Sequence, residues 1–126
     1  MSRLLELFEA YPDMNIVFDT KMAAFHGQIQ LIYGDDIKWL WRDGRIKHLH
    51  INDYNGGYMD WGNLAALPLG DGKIDFDAFF KYIQNEQYNG DYTIEATAFK
   101  KDGSIDTDML NRCFKTVRSY TLGSAD

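Results

Sequence analysis

Two histidines and an acidic residue lie close together in the segment GRIKHLHIND, residues 44–53. His48 and His50 are two positions apart, and in a β-strand this spacing places both imidazole rings on one face. Asp53 follows shortly after His50. Imidazole and carboxylate groups bind divalent metals and transfer protons. The segment therefore predicts a strand whose end carries metal-binding or proton-transferring side chains.

Two other short apolar segments also end in carboxylates. NIVFD ends in Asp19, and DYTIEA carries Glu95. In parallel α/β sheets the carboxyl ends of the strands meet at one edge, where ligands bind. We therefore predict that Asp19, His50 and Glu95 form a site for Mn²⁺, Mg²⁺, Co²⁺ or Zn²⁺, because nitrogen and oxygen ligands suit all four ions. Such a metal polarises an oxygen of the substrate, and a carboxylate beside it transfers a proton.

Each of these residues also has a purely structural interpretation. Asp19 could cap the segment that follows it, His50 could be a hydrogen-bonded core histidine, and Glu95 could pair with a lysine. His48 suits the interior of the sheet better than the metal site, because ligands cluster at the strand tip. The coincidence of three candidate ligands, rather than any one of them, favours the functional interpretation.

The periodicity of apolar residues predicts the elements that position these side chains. We predict helices over residues 3–10, 35–43, 76–86 and 107–120, and strands that end at residue 19, span residues 46–51 and span residues 92–96. Asp75 is a candidate N-cap for the helix over residues 76–86, and Gly44 can end the helix over residues 35–43. Strands that alternate with helices predict an α/β fold with a parallel sheet.

Trp61 lies in a glycine-rich loop over residues 54–72, where it could cover a substrate or the protein surface.

Composition limits the classes of function. The 126 residues suit one domain over residues 1–126, and the net charge of −6 argues against binding nucleic acid or an anionic membrane. The single cysteine, Cys113, excludes an intrachain disulfide. The first residues do not form a signal peptide, and no apolar run approaches the roughly 20 residues of a membrane span. We therefore expect a cytoplasmic protein.

Four segments together resemble one known family. In chain order they read NIVFDT, GRIKHLHIND, LPLGDGKIDFDAFFKYI and YNGDYTIEA, and they resemble the C-terminal part of the xylose isomerase-like family. This family includes sugar phosphate isomerases and epimerases, and also the family 2 AP endonucleases. The resemblance covers about residues 3–121. It implies a (β/α)8 TIM barrel fold, of which this sequence matches about the last three βα units.

The resemblance also implies roles for individual residues. In the sugar isomerases and epimerases of the family, a divalent metal is held by a Glu, an Asp, a His and a second Glu. The last three positions match Asp19, His50 and Glu95, and the second Glu also transfers protons. From their positions at the strand end and in the glycine-rich loop, we also expect His48, Asp53 and Trp61 to contact a sugar or sugar phosphate substrate or to support the ligands. The first Glu has no counterpart here, and Met22 replaces a histidine that the family usually carries, so metal binding by this chain could be absent.

Three strands cannot close a barrel, so the resemblance predicts two open sheet edges. Open edges pair readily with other chains, and we therefore expect a homo-oligomer. Three functions are compatible with this sequence: a metal-dependent isomerase or epimerase, an inactive barrel fragment that self-associates, and a subunit that completes a barrel with another chain.

Overall fold

The computed structural model describes residues 2–122. Within this range there are three strands, β1 (Ile16–Asp19), β2 (Ile46–Ile51) and β3 (Asp91–Ile94). The helices in the same range are α1 (Ser2–Ala10), α2 (Thr20–Phe25), α3 (Lys38–Arg42), α4 (Phe76–Asn85) and α5 (Thr107–Thr121). Short 3-10 turns cover Ile29–Tyr33, Asp35–Ile37 and Trp61–Asn63. None of the helices described is long and apolar enough to cross a lipid bilayer.

The three strands form one parallel sheet in the order β1-β2-β3. Asp19 pairs with His50, which places the end of β1 beside the end of β2. Ile16 pairs with Ile46 and Val17 with His48, so Lys47 is an extra residue in β2. This bulge turns Ile46 toward the buried side of the sheet, although it has the same parity as the two histidines.

One face of the sheet packs against helices and forms the core. Leu49 and Ile51 of β2 are fully buried there. The apolar residues of α4 recur at the spacing of one helical face, and Asp75 caps the helix by accepting a hydrogen bond from the Ala78 N–H at 3.0 Å. Aromatic and aliphatic side chains from α4 and α5 complete this layer: Phe76, Phe79, Phe80, Ile83, Met109, Cys113 and Val117.

The opposite face of the sheet is open to solvent. Val17 of β1 is 56% exposed, and Asp91 and Thr93 of β3 are exposed as well. This face carries the two histidines, and in a closed (β/α)8 barrel it would form the packed interior. The parallel α/β architecture expected from the sequence is therefore confirmed, with helices covering one side of the sheet.

The predicted elements differ from the structure in three places. Helix α2 follows β1 immediately and was not predicted, because its six residues are too few to show helical periodicity. The predicted helix over residues 35–43 begins as a 3-10 turn and becomes α-helical only at Lys38. Strand β3 ends at Ile94, so Glu95 lies just beyond the strand. Gly44 adopts a φ of 63°, which agrees with its predicted role after α3.

Candidate metal centre

Asp19 ends β1 and also begins α2. Its Oδ1 atom accepts a hydrogen bond from the Met22 N–H at 2.8 Å, and its backbone is extended, as expected of an N-cap. Its Oδ2 atom faces the His50 Nδ1 atom at 3.9 Å. The capping interpretation of Asp19 is therefore confirmed, and it uses only one of the two carboxylate oxygens.

His50 and Glu95 meet at the ends of β2 and β3. The Glu95 N–H donates to the Ile51 carbonyl at 3.0 Å, which extends the strand pairing by one residue beyond β3. This contact brings the Glu95 Oε2 atom to 3.5 Å from the His50 Nδ1 atom. The side chains of Asp19, His50 and Glu95 are 21%, 34% and 47% exposed, so solvent and small molecules can reach them.

The three side chains have the spacing of a metal site. One ligand atom from each of Asp19, His50 and Glu95 lies within 4.8 Å of the others. Metal–ligand bonds of about 2.1 Å place neighbouring ligand atoms roughly 3.0–3.4 Å apart and opposite ones about 4.2 Å apart. The observed 3.5 Å and 3.9 Å fall between these values. The two carboxylates supply negative charge and the imidazole supplies a nitrogen donor, so the donor set fits a divalent cation.

Asn52 joins all three strand ends and is fully buried. Its Oδ1 atom accepts hydrogen bonds from the Lys21 N–H at 2.9 Å and from the Thr20 hydroxyl at 3.1 Å. Its Nδ2 atom donates to the Glu95 Oε2 atom at 2.8 Å. Asn52 was not among the predicted site residues, although it continues the alternation of His48 and His50. That alternation was the available signal.

The Asp53 side chain holds the loop that follows β2 through hydrogen bonds to the backbone. The carboxylate is fully buried, and it accepts four backbone hydrogen bonds of 2.8–3.1 Å. The donors are Tyr54 and Ile74 to the Oδ1 atom, and Gly70 and Gly72 to the Oδ2 atom. Because every acceptor position faces the protein, the described contacts of Asp53 organise the loop beside the site.

His48 and Trp61 lie outside the cluster of ligand atoms. The His48 Nε2 atom is 2.7 Å from the Thr93 hydroxyl, and its ring is 5.3 Å from that of His50, one layer further from the strand ends. Trp61 is 67% exposed and packs edge-on against Phe25 with ring centroids 4.9 Å apart. His48 thus lies next to the candidate ligand His50, whereas the packing contact of Trp61 is with Phe25, and contact of either side chain with substrate stays a prediction.

Tyr54 makes a further hydrogen bond within the same loop. Its hydroxyl donates to the Gly57 carbonyl at 2.8 Å. Burial raises the pKa of the Tyr54 phenol, and the negative charge of Asp60 raises it further. The hydroxyl therefore stays protonated near neutral pH and keeps this hydrogen bond.

Comparisons with known proteins agree with this fold. The family described as xylose isomerase-like TIM barrel matches residues 1–111. A solved structure of a xylose isomerase domain protein from Alicyclobacillus acidocaldarius subsp. acidocaldarius superposes with a TM-score of 0.70 at 19% identity. The superposition covers 94% of this chain and 42% of that one, so this chain spans less than half the length of its neighbour. No curated protein matches the chain significantly. The fold is that of part of a TIM barrel, and the chain belongs to the xylose isomerase-like TIM barrel family.

Proposed function

We propose that this chain carries the metal centre of a sugar or sugar-phosphate isomerase or epimerase. The observation that supports the proposal most strongly is the convergence of Asp19, His50 and Glu95 within 4.8 Å at the carboxyl edge of the sheet. Active sites of TIM barrel enzymes lie at this edge. The family membership of the chain agrees with this class of chemistry. A cytoplasmic location is part of the proposal, because a chain whose single cysteine is Cys113 can form no intrachain disulfide, which suits a reducing compartment.

The three candidate ligands would have different roles in the proposed reaction. A bound divalent metal would polarise a carbonyl or hydroxyl oxygen of the sugar. Asp19 and His50 would hold that metal, and Glu95 would both hold it and exchange a proton with the carbon next to the carbonyl. Within residues 2–122 no donor contacts the Glu95 Oε1 atom, whereas Asn52 binds the Oε2 atom. One oxygen is therefore positioned by the protein, and the other is available for substrate.

Metal binding is the first test of the proposal. We expect stoichiometric Mn²⁺ binding by calorimetry, and we expect His50→Ala to weaken it by more than the roughly 10–100-fold that loss of an outer partner costs. His26→Ala is the matched control, since His26 is an exposed histidine after α2. Mn²⁺ binding that His50→Ala leaves unchanged would contradict the assignment of these ligands.

Proton exchange is the second test. The metal-loaded protein should transfer solvent deuterium to the carbon beside the carbonyl of a ketose or ketose phosphate in D2O, as followed by NMR. Glu95→Gln should abolish this transfer, because an amide cannot accept the proton. Deuterium transfer at an unchanged rate in the variant would refute the role of Glu95 as the base.

A second candidate function follows from the edges and open face of the sheet. Within the described residues, β1 and β3 each have one neighbour only, and Val17 on the open face is 56% exposed. An apolar groove of about 460 Å³ lies beside β1, with Phe18, Leu31 and Ile37 among its lining residues. The chain could thus be an inactive barrel fragment that self-associates, or a subunit that completes a barrel with another chain.

Self-association tests the homo-oligomer that the open edges and open face of the sheet predict. We expect sedimentation at micromolar concentration to show a homo-oligomer, because parallel sheets are normally covered on both faces. Val17→Lys should dissociate it, since the lysine would place a charge on the covered face. A compact monomer at the same concentration would contradict the homo-oligomer.

A further inference from the structure

Glu95 is the least constrained of the three candidate ligands. It lies beyond the end of β3, and its side chain is 47% exposed. A glutamate side chain has three rotatable bonds, and ordering such a side chain costs more conformational entropy than ordering a shorter one. Asp19, in contrast, is shorter and is held by its capping hydrogen bond to the Met22 N–H. Some other group must therefore select the conformation of Glu95 that faces His50.

The Asn52 amide is that group. Its Nδ2 atom donates to the Glu95 Oε2 atom at 2.8 Å, the same oxygen that lies 3.5 Å from the His50 Nδ1 atom. No other donor within residues 2–122 makes a hydrogen bond to the Glu95 carboxylate. A hydrogen bond to an ionised carboxylate is about twice as strong as one between neutral groups. The contact therefore favours one rotamer of Glu95 over the solvated alternatives.

The orientation of the Asn52 amide follows from its other end. The Lys21 backbone N–H can only donate, and it points at the Asn52 Oδ1 atom at 2.9 Å. Rotating the amide by 180° would place two donors against each other at Lys21 and two acceptors against each other at Glu95. Asn52 is also fully buried, so no water can compensate for such a rotation. The backbone of α2 thus fixes which atom Asn52 presents to Glu95.

We infer that Asn52 is a positioning residue for Glu95, which it links to the junction between β1 and α2. The inference rests on the proposed function insofar as Glu95 serves a metal, whereas the hydrogen bond itself can be tested without one. Loss of an outer hydrogen-bond partner typically lowers metal affinity by about 10–100-fold. We expect a loss in that range for Asn52→Ala.

The first experiment uses metal-free protein and the side-chain amide signals of Asn52 in ¹⁵N-HSQC spectra. Glu95→Ala removes the acceptor, so the Asn52 Hδ2 signal of the hydrogen-bonded proton should move upfield. Glu9→Ala, on the exposed side of α1, is the matched control and should leave it unchanged. Because Glu95 is half-exposed, this variant should fold even if Asn52→Ala does not. An unchanged Asn52 signal in Glu95→Ala would overturn the inference.

The second experiment uses Co²⁺, whose visible absorption reports its ligands. If Asn52 positions Glu95, folded Asn52→Ala should bind Co²⁺ about 10–100-fold more weakly and give a spectrum like that of Glu95→Ala. A role confined to holding α2 would lower stability but leave the wild-type Co²⁺ spectrum in place, and this outcome would overturn the inference. If the wild type binds no Co²⁺ or Mn²⁺, the proposed metal centre fails, and the NMR experiment alone decides the role of Asn52.

Discussion

Replacing Asp53 with asparagine tests how the loop beside the site is held. The wild-type carboxylate is fully buried and has two backbone donors at each oxygen. Asp53→Asn preserves the shape of the side chain but converts one oxygen into an NH₂ group. Whichever way the new amide points, two backbone N–H groups then face another donor instead of an acceptor.

The expected cost follows from these four hydrogen bonds. An unsatisfied buried donor costs about 1–3 kcal/mol, and two donors are affected, which gives roughly 2–6 kcal/mol. The N–H groups of Gly70, Gly72 and Ile74 are only partly buried, so water can recover some of this loss. We therefore expect Asp53→Asn to lower the free energy of unfolding by about 2–4 kcal/mol.

Urea unfolding followed by circular dichroism measures this change. All variants should be compared at one protein concentration, because self-association would make stability depend on concentration. Asp43→Asn is the matched control: Asp43 is exposed, and its side chain makes no hydrogen bond within residues 2–122, so its effect should stay within about 0.5 kcal/mol. If Asp53→Asn is as stable as this control, the carboxylate does not hold the loop and the reasoning is wrong.

Three further variants test the packing around the same sheet. Phe79→Ala should cost about 3–5 kcal/mol in urea unfolding, since its ring is fully buried, and a cost below about 1 kcal/mol would contradict the assigned core. Gly72→Ala should destabilise the loop by about 1–3 kcal/mol, because a Cβ there would overlap the buried Asp53 carboxylate; wild-type stability would refute this close approach. The Tyr120 hydroxyl donates to Asp77 at 2.6 Å and, together with Lys81, lowers the pKa of Asp77 in the folded protein. This contact therefore stabilises the fold at pH values above the pKa that Asp77 has in the unfolded chain, and the stabilisation is lost as the pH falls through the lower pKa of the folded protein. Tyr120→Phe should therefore be less stable than wild type at pH 7, with the difference shrinking on acidification; a difference independent of pH would count against the contact.

The sequence predicted the parts of the fold that depend on local patterns. Strand β2 was predicted over its observed residues, and the cap at Asp75 and the position of Gly44 just after α3 were also predicted correctly. In each case the signal lies within a few neighbouring residues: alternation of apolar side chains, a short acceptor before a helix, or a glycine after one. The juxtaposition of Asp19 with His50 could also be predicted, because parallel strands align their carboxyl ends.

The contacts that support the site depend on residues distant in the sequence. Asn52 contacts Lys21 and Glu95, and Asp53 contacts Gly70 and Gly72. An asparagine or aspartate after a strand is common in turns, so its type alone does not show which donors or acceptors it will meet. The bulge at Lys47 is similar, because it depends on the register with β1 rather than on the sequence of β2. These features could be identified only once the strands were placed side by side.

The candidate site needs only two strand registers to assemble. β1 and β2 place Asp19 beside His50, and the Glu95 N–H, bonded to the Ile51 carbonyl, brings Glu95 to the same point. Asn52 then ties β2 to both neighbours through hydrogen bonds within this one chain. The candidate ligand set therefore depends on neighbouring strands, whereas covering the exposed Val17 face depends on further strands or another chain. The convergence of these three side chains and the covering of the open face depend on different contacts, and for this reason the two candidate functions can be tested independently.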